Sequence, residues 1–294
     1  MDKIEFLRTL FDYVRVVDPS DKAIKYTFRP EEFPVITQNK CFDFWKQNKI
    51  CDNCISMSAI KANKTLVKFE IESGKLYLVM ASPYEVNGKV CALELIKDIT
   101  HTNFVEAIDQ NKTTDYSDLI ARLNQAVITD DLTGLYNKRY VEEHLPYDIK
   151  MISYSDKNIF IGIADIDHFK NINDSYGHLV GDKVLTKIGT ILKASIRSER
   201  DWIARYGGEE FIIVIKGEDE KIFRVICERI RKEVEATKMK FSDQEFNVTI
   251  SIGGVGIHPS TKCHFEDLIS RADENLYKAK NNGRNQCIVE FVHK

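Results

Sequence analysis

Two glycines and two carboxylates stand together at Gly207-Gly208-Glu209-Glu210, between Arg205-Tyr206 and the apolar run Phe211-Ile212-Ile213-Val214-Ile215. A stretch of this composition reads as a tight turn joining two strands. Glycine tolerates positive φ and lets the backbone approach a ligand closely, while successive strand residues alternate across the pleat. Only one of the two glutamates therefore faces a bound cation. Paired acids at a hairpin tip point to a site for metal and phosphate.

A second acidic cluster lies upstream, where Ile159-Phe160-Ile161-Gly162-Ile163-Ala164 reads as a buried strand running into Asp165-Ile166-Asp167. Magnesium takes a few hard oxygens from protein and the rest from nucleotide phosphates, so Asp165, a neighbouring carbonyl and one hairpin glutamate suffice. Two acids at adjacent strand ends would repel each other without a cation. Downstream, the residues from Asn171 to His178 are rich in turn and cap types. Gly181-Asp182 is expected to open a helix with apolar positions at Val184, Leu185, Ile188, Ile191 and Leu192. The amides and carboxylates there suit a purine edge.

The segments Asp131-Leu-Thr-Gly-Leu135, Asp165-Ile-Asp-His-Phe-Lys170, Asn173-Asp-Ser-Tyr-Gly-His178, Gly181-Asp182, Arg205-Tyr-Gly-Gly-Glu-Glu-Phe211 and Arg271-Ala-Asp-Glu-Asn-Leu-Tyr-Lys-Ala-Lys280 occur in the order found in GGDEF diguanylate cyclases, which residues 130–294 resemble. The resemblance implies condensation of two GTP into cyclic di-GMP, a bacterial second messenger, and pyrophosphate. It implies that Asp165, Glu209 and the Ile166 carbonyl hold Mg2+ (or Mn2+). Glu209 would also help deprotonate the attacking 3′-hydroxyl, and Lys170 would stabilise charge in the transition state. Asn173, His178 and Asp182 would bind the guanine nucleoside, with Lys280 and Arg284 on phosphate. An aspartate accepting from guanine N–H groups discriminates against adenine, which would leave it unpaired.

Blander assignments stand beside these. Glu210 is the spare carboxylate, Asp167 reads as a supporting or capping acid, and Lys278 as a solvated helix residue. His178 alone fits a structural hydrogen-bonder as well as a ligand contact. A non-catalytic module binding GTP or cyclic di-GMP is the alternative function, and a cyclase making another dinucleotide is a second. Many relatives carry an Arg-x-x-Asp product-inhibition motif, but here the aligned segment is Ser198-Glu199-Arg200-Asp201. Its first arginine is missing, which implies weak or absent feedback inhibition.

Strands are predicted over 159–165, 202–206, 211–215, 246–255 and 286–291, separated by amphipathic helices such as 222–234 and 265–280. The fold class is α/β (α+β) with an antiparallel central sheet, which the resemblance sharpens to a palm-like nucleotidyl cyclase domain. Because each subunit of such an enzyme binds one GTP, the resemblance also implies a homodimer.

The first hundred residues read differently. Val67-Lys-Phe-Glu-Ile-Glu72 alternates, Ser73-Gly74 turns, Leu76 to Ala81 returns, and Asn87-Gly88 turns again into Val90 to Ile96. This antiparallel meander resembles a PAS-like sensor domain, placed at 1–100. Cys41, Cys51 and Cys54 are candidate sensor thiols, open to zinc, an iron–sulfur cluster, a redox pair or simply three reduced thiols. Cys91 is the leading candidate for a fourth ligand, and the sensor cofactor is unknown. Residues 101–129 carry a near-heptad stripe at Phe104, Val105, Ile108, Tyr116, Leu119, Ile120, Leu123, Ala126 and Val127. That pattern predicts a helical linker able to pair as a two-stranded coil and transmit a sensed signal.

No apolar run approaches the ~20 residues of a membrane span, and the N-terminus resembles no secretion signal. Seven dispersed cysteines suit a reducing compartment, so a cytoplasmic location is expected. A net charge of −3 offers no general attraction to nucleic acid or anionic lipid, and neither is expected as a partner.

Overall fold

The computed structural model describes residues 3–28, 40–46, 50–102, 116–197, 200–241, 244–261 and 263–292. The chain divides into two compact units, Met1–Ile128 and Thr129–Lys294.

In the first unit, helix α1 (Lys3–Leu10) precedes β1 (Tyr13–Asp18) and β2 (Ala23–Phe28). A 3-10 turn (Cys41–Trp45) and helix α2 (Ile55–Ala62) lead to β3 (Leu66–Glu72), β4 (Lys75–Val86) and β5 (Lys89–Asp98). The expected meander is present: Ser73-Gly74 and Asn87-Gly88 both turn with positive φ, the geometry that matches strand twist in two-residue hairpins. The sheet runs β2-β1-β5-β4-β3 and every pair is antiparallel. Trp45, Ile55, Ala59, Tyr77, Val79, Ala81 and Ile96 form the core on its helix-covered face.

The linker stripe is described only from Tyr116; Phe104, Val105 and Ile108 lie outside the described residues. Tyr116–Ile128 forms helix α3, which groups with the first unit. Ile120 is buried against Leu76, and Asn124 Nδ2 donates to the Phe69 carbonyl at 3.1 Å. Leu119 and Leu123, one turn apart, remain 42% and 54% exposed.

The second unit contains α4 (Lys138–Ile152), β6 (Ile159–Ile166), α5 (Phe169–Tyr176), α6 (His178–Ala194), β7 (Trp202–Gly207), β8 (Glu210–Lys216) and α7 (Glu220–Ala236). It continues with β9 (Lys238–Phe241), β10 (Gln244–Asn247), β11 (Ile250–Ile257), α8 (Phe265–Asn281) and β12 (Cys287–Val292). The main sheet runs β12-β11-β6-β8-β7. β6 and β11 are buried at every position, as their unbroken apolar runs require of central strands. Val184, Leu185, Ile188, Ile191 and Leu192 all turn inward from α6, as their spacing predicted.

Four expectations need correction. The strand predicted over 246–255 is two elements, because β10 pairs with β9 and strand pairing is interrupted at Val248-Thr249 before β11. The sheet is not wholly antiparallel: β11 and β12 are parallel, with α8 making the crossover such pairs need. The polar stretch after Lys170 is helical, since Phe169 and Ile172 bury one face of α5. Finally, α6 opens at His178, with Gly181 and Asp182 inside its first turns, because the break from α5 falls at Gly177 with φ +83°.

Glycine decides how closely α8 sits on the sheet. A Cβ at Gly253 of β11 would lie 2.0 Å from the Leu276 nitrogen and 2.2 Å from the Ala272 carbonyl oxygen. Only a bare backbone permits that approach, which sets the position of Lys280 at the far end of α8.

Candidate active site

β6 carries Asp165 to its end, where it pairs in register with Glu210 of β8 and Ser251 of β11. The Ile166 N–H reaches the Glu209 carbonyl at 3.4 Å, tying the hairpin tip to the strand end. Asp165 is only 5% exposed, and Lys280 Nζ meets its Oδ2 at 2.8 Å. Burial pushes the Asp165 carboxyl up to about 6; the Lys280 ammonium opposes this, and Glu209 and then Glu210 add to it. Both glutamates are half-buried, and both act on Asp165 although the ladder alone pairs it with Glu210. The reason is a bulge between Arg205 and Gly207 together with φ +48° at Gly208, which re-aims the tip.

The hairpin is also clamped from outside. Arg205 donates from Nε and Nη2 to the Gly208 carbonyl at 2.9 and 2.8 Å, and from Nη1 to Asp130 at 3.2 and 3.3 Å. Burial alone would raise Asp130, but hydrogen bonds from the Thr133 hydroxyl and amide and the Arg205 guanidinium hold it below the usual carboxylate range. The sequence motif opens at Asp131, which is exposed, and does not single out Asp130. Only the fold shows which of two adjacent aspartates faces Arg205.

Asn173 and the first turns of α6 meet. A Cβ at Gly181 would stand 2.0 Å from Asn173 Oδ1, so the glycine makes room for the amide beside Asp182. Asp182 and His178 are exposed on α6, as is Lys170 at the start of α5. Arg284 is exposed in the turn after α8, where its φ is +63°. Asp167 is 4% exposed and fully engaged by neighbouring donors, in line with its reading as a supporting acid.

Among the described residues no three of His, Cys, Asp and Glu converge as a metal cage. Asp165 and Glu209 stand close enough for one carboxylate to act on the other, and with the Ile166 carbonyl they offer hard oxygens of the type Mg2+ takes. Burial first, and the neighbouring glutamates after it, raise Asp165, and a divalent cation offsets both, so these residues fit Mg2+ or Mn2+.

In the first unit Cys41 and Cys54 are buried, Cys51 is half-buried, and all three are free thiols. Burial raises Cys41 well above its ordinary value and Cys51 to about 11, so both are held as neutral thiols. Lys22 Nζ lies 3.4 Å from Cys54 Sγ. Cys91 alternates out of phase with Ala92, Glu94 and Ile96 along β5, which puts it on the other face of the sheet from the core that Cys51 packs against. It is therefore not placed to complete a thiol site. At the product-inhibition segment, Ser198 and Glu199 lie outside the described residues, and Arg197 is occupied by Asp201 at 3.1 Å and by Glu218.

Acids and ammonium groups interleaved at one end of a central sheet, beside an amide-lined helix start, suit a palm-like protein of the nucleotidyl-transfer class. Residues 127–286 match the family described as "Diguanylate cyclase, GGDEF domain". The chain belongs to this family. It is 39% identical over 173 residues to Diguanylate cyclase A of Treponema denticola, covering 58% of this chain and 46% of that protein. It is 33% identical over 205 residues to Diguanylate cyclase DgcP of Pseudomonas aeruginosa, covering 70% and 29%. Its structure is similar to the GGDEF domain of DgcB from Caulobacter crescentus in complex with c-di-GMP, with a TM-score of 0.53, 30% identity, and coverage of 55% of this chain and 95% of that one. The chain spans less than half the length of these two curated relatives. Among the described residues no helix is long and apolar enough to cross a membrane.

Proposed function

We propose that this chain is a diguanylate cyclase that condenses two GTP into cyclic di-GMP and two pyrophosphates, working as a homodimer in the cytoplasm under control of its N-terminal unit. The observation that carries the reading is the buried Asp165, raised by burial and by both hairpin glutamates while paired at 2.8 Å with Lys280. Such a centre is short of positive charge, and a cation with a triphosphate supplies what it lacks.

Asp165, Glu209 and the Ile166 carbonyl would hold Mg2+ or Mn2+. When bound, the ion polarises the phosphate and makes the attacking hydroxyl more acidic. Glu209 accepts the proton of the 3′-hydroxyl, whose oxygen displaces pyrophosphate from the α-phosphorus of the facing GTP. Lys170 offsets charge on the reacting phosphoryl group, and Lys280 and Arg284 hold the polyphosphate. For Lys280 this means leaving Asp165 for the nucleotide. Asn173, His178 and Asp182 hold guanine, with Asn173 seated by Gly181.

The first unit reads as a PAS-like sensor, supported by its five-stranded antiparallel sheet with helical segments over one face. The exposed Leu119 and Leu123 of α3 support pairing of that helix between two copies. A change in the sensor would then alter how the two cyclase units face each other.

Incubating the purified chain with GTP and Mg2+, with ATP as competitor and Glu209→Gln beside it, tests the reading. Cyclic di-GMP from the wild type, lost in the variant and unaffected by ATP, is the expected result. Tight GTP binding with no dinucleotide product from the dimeric wild type would favour a binding-only module instead.

A further inference from the structure

Asp167 follows directly on β6, and the chemistry above gives it no task. Its carboxylate accepts hydrogen bonds from three places: Ser251 Oγ on β11 at 2.7 Å, Thr249 Oγ1 just before β11 at 2.7 Å, and the Asn285 backbone N–H after α8 at 3.0 Å. Its own N–H donates to the Thr249 carbonyl at 2.9 Å. The break that splits the predicted strand thus lies against this residue.

The third bond falls on a strained turn. Gly283, Arg284 and Asn285 carry φ of +104°, +63° and +47° in succession. L-residues avoid that region, and two in a row persist only where the surroundings fix them. Asn285 is fixed from both sides: Asp167 takes its N–H, while its side chain donates to Glu235 at 2.7 Å and accepts from Arg231 at 2.9 Å. Arg284 sits between this anchor and the end of α8, where its N–H donates to the Ala279 carbonyl at 3.0 Å. The same helix end holds Lys280 against Asp165, two residues before Asp167.

We propose that Asp167 is a positioning residue that acts through the 283–285 turn, holding Arg284 where it binds the polyphosphate of the nucleotide. The inference rests on the cyclase reading for the identity of the ligand. A charged acceptor suits the task because hydrogen bonds to carboxylate are stronger than neutral ones, and a single oxygen pair gathers three donors at once. If Asp167 only cemented the fold, its loss would lower stability without singling out phosphate.

The test uses the full chain with Asp167→Asn, Arg284→Ala and the double variant. Amide hydrogen exchange over 282–287 is measured first, and then the affinity for GTP and for guanosine with Mg2+ present. Asp167→Asn is expected to speed exchange in the turn roughly tenfold and to weaken GTP roughly tenfold, the factor for losing one charge-assisted bond. Guanosine affinity should hold, and the double variant should bind GTP no worse than Arg284→Ala. Unchanged exchange, equal losses for GTP and guanosine, or additive losses in the double variant would overturn the assignment. Should Asp167→Asn fail to fold, Thr249→Val removes one of the three donors, and a turn and GTP affinity both unmoved there overturn it equally. A wild type that binds no GTP while the turn still loosens in Asp167→Asn sinks the cyclase reading and this ligand role with it. GTP binding with an unmoved turn sinks the role of Asp167 alone.

Discussion

Asp165→Asn should make the metal-free protein more stable while removing the carboxylate proposed to hold the metal. The carboxyl stands at about 6 instead of 3.8, because it is buried and faces Glu209 and Glu210, with Lys280 only partly compensating. Two units at about 1.36 kcal/mol each give ~3 kcal/mol of strain in the ionised form at neutral pH. Water at the half-buried hairpin tip screens part of this, and Lys280 loses a partner, so a net gain of about 1–2 kcal/mol is expected. For a unit of this size that is a Tm rise of roughly 2–8 °C. The folded-state value lies above the unfolded one, so this acid favours the fold fully only below about pH 4, and the contribution is lost as pH rises through about 6. The advantage of the variant should accordingly grow from pH 5 to pH 7.5 and vanish near pH 4. Differential scanning fluorimetry across that range measures it directly. Millimolar Mg2+ should stabilise the wild type and leave the variant unmoved. A variant less stable than wild type at pH 7.5, or an advantage that ignores pH, would refute the reasoning.

Three further outcomes follow from the geometry. Arg205→Lys should lower cyclic di-GMP formation by about tenfold or more, since a lysine cannot bridge the Gly208 carbonyl and Asp130 together; steady-state rates compared with melting curves separate this from unfolding. Gly181→Ala should raise the KM for GTP roughly tenfold with little change in Tm, because the new methyl displaces the Asn173 amide and no backbone; an unchanged KM would remove Asn173 from guanine recognition. Gly253→Ala should cost more than ~4 kcal/mol, because the clash is with the backbone of α8, and urea unfolding followed by circular dichroism reads the loss.

Much of the candidate site is legible because its residues sit in short runs. A buried strand ending in acids, a glycine hairpin carrying two more, and helical spacing from Val184 to Leu192 are local patterns, and local patterns survive in a linear text. The elements misread were those whose form depends on distant partners. At the Val248-Thr249 break between strands Thr249 bonds Asp167, and the run from Phe169 to Tyr176 is helical with Phe169 and Ile172 buried in the core. Propensity carries no record of either.

By itself, then, the sequence determined the residue types, the alternation that makes the strands, and the family to which residues 127–286 belong. Tertiary structure decided which groups act on one another. It chose Asp130 over Asp131 as the partner of Arg205, joined Lys280 to Asp165 across 115 positions of chain, placed Cys91 away from the other thiols, and gave Asp167 its three donors. The physical reason is the same in each case. Hydrogen bonds and charge pairs act over a few ångströms of space, and only the packing of helix on sheet, down to a missing Cβ at Gly253, sets those distances.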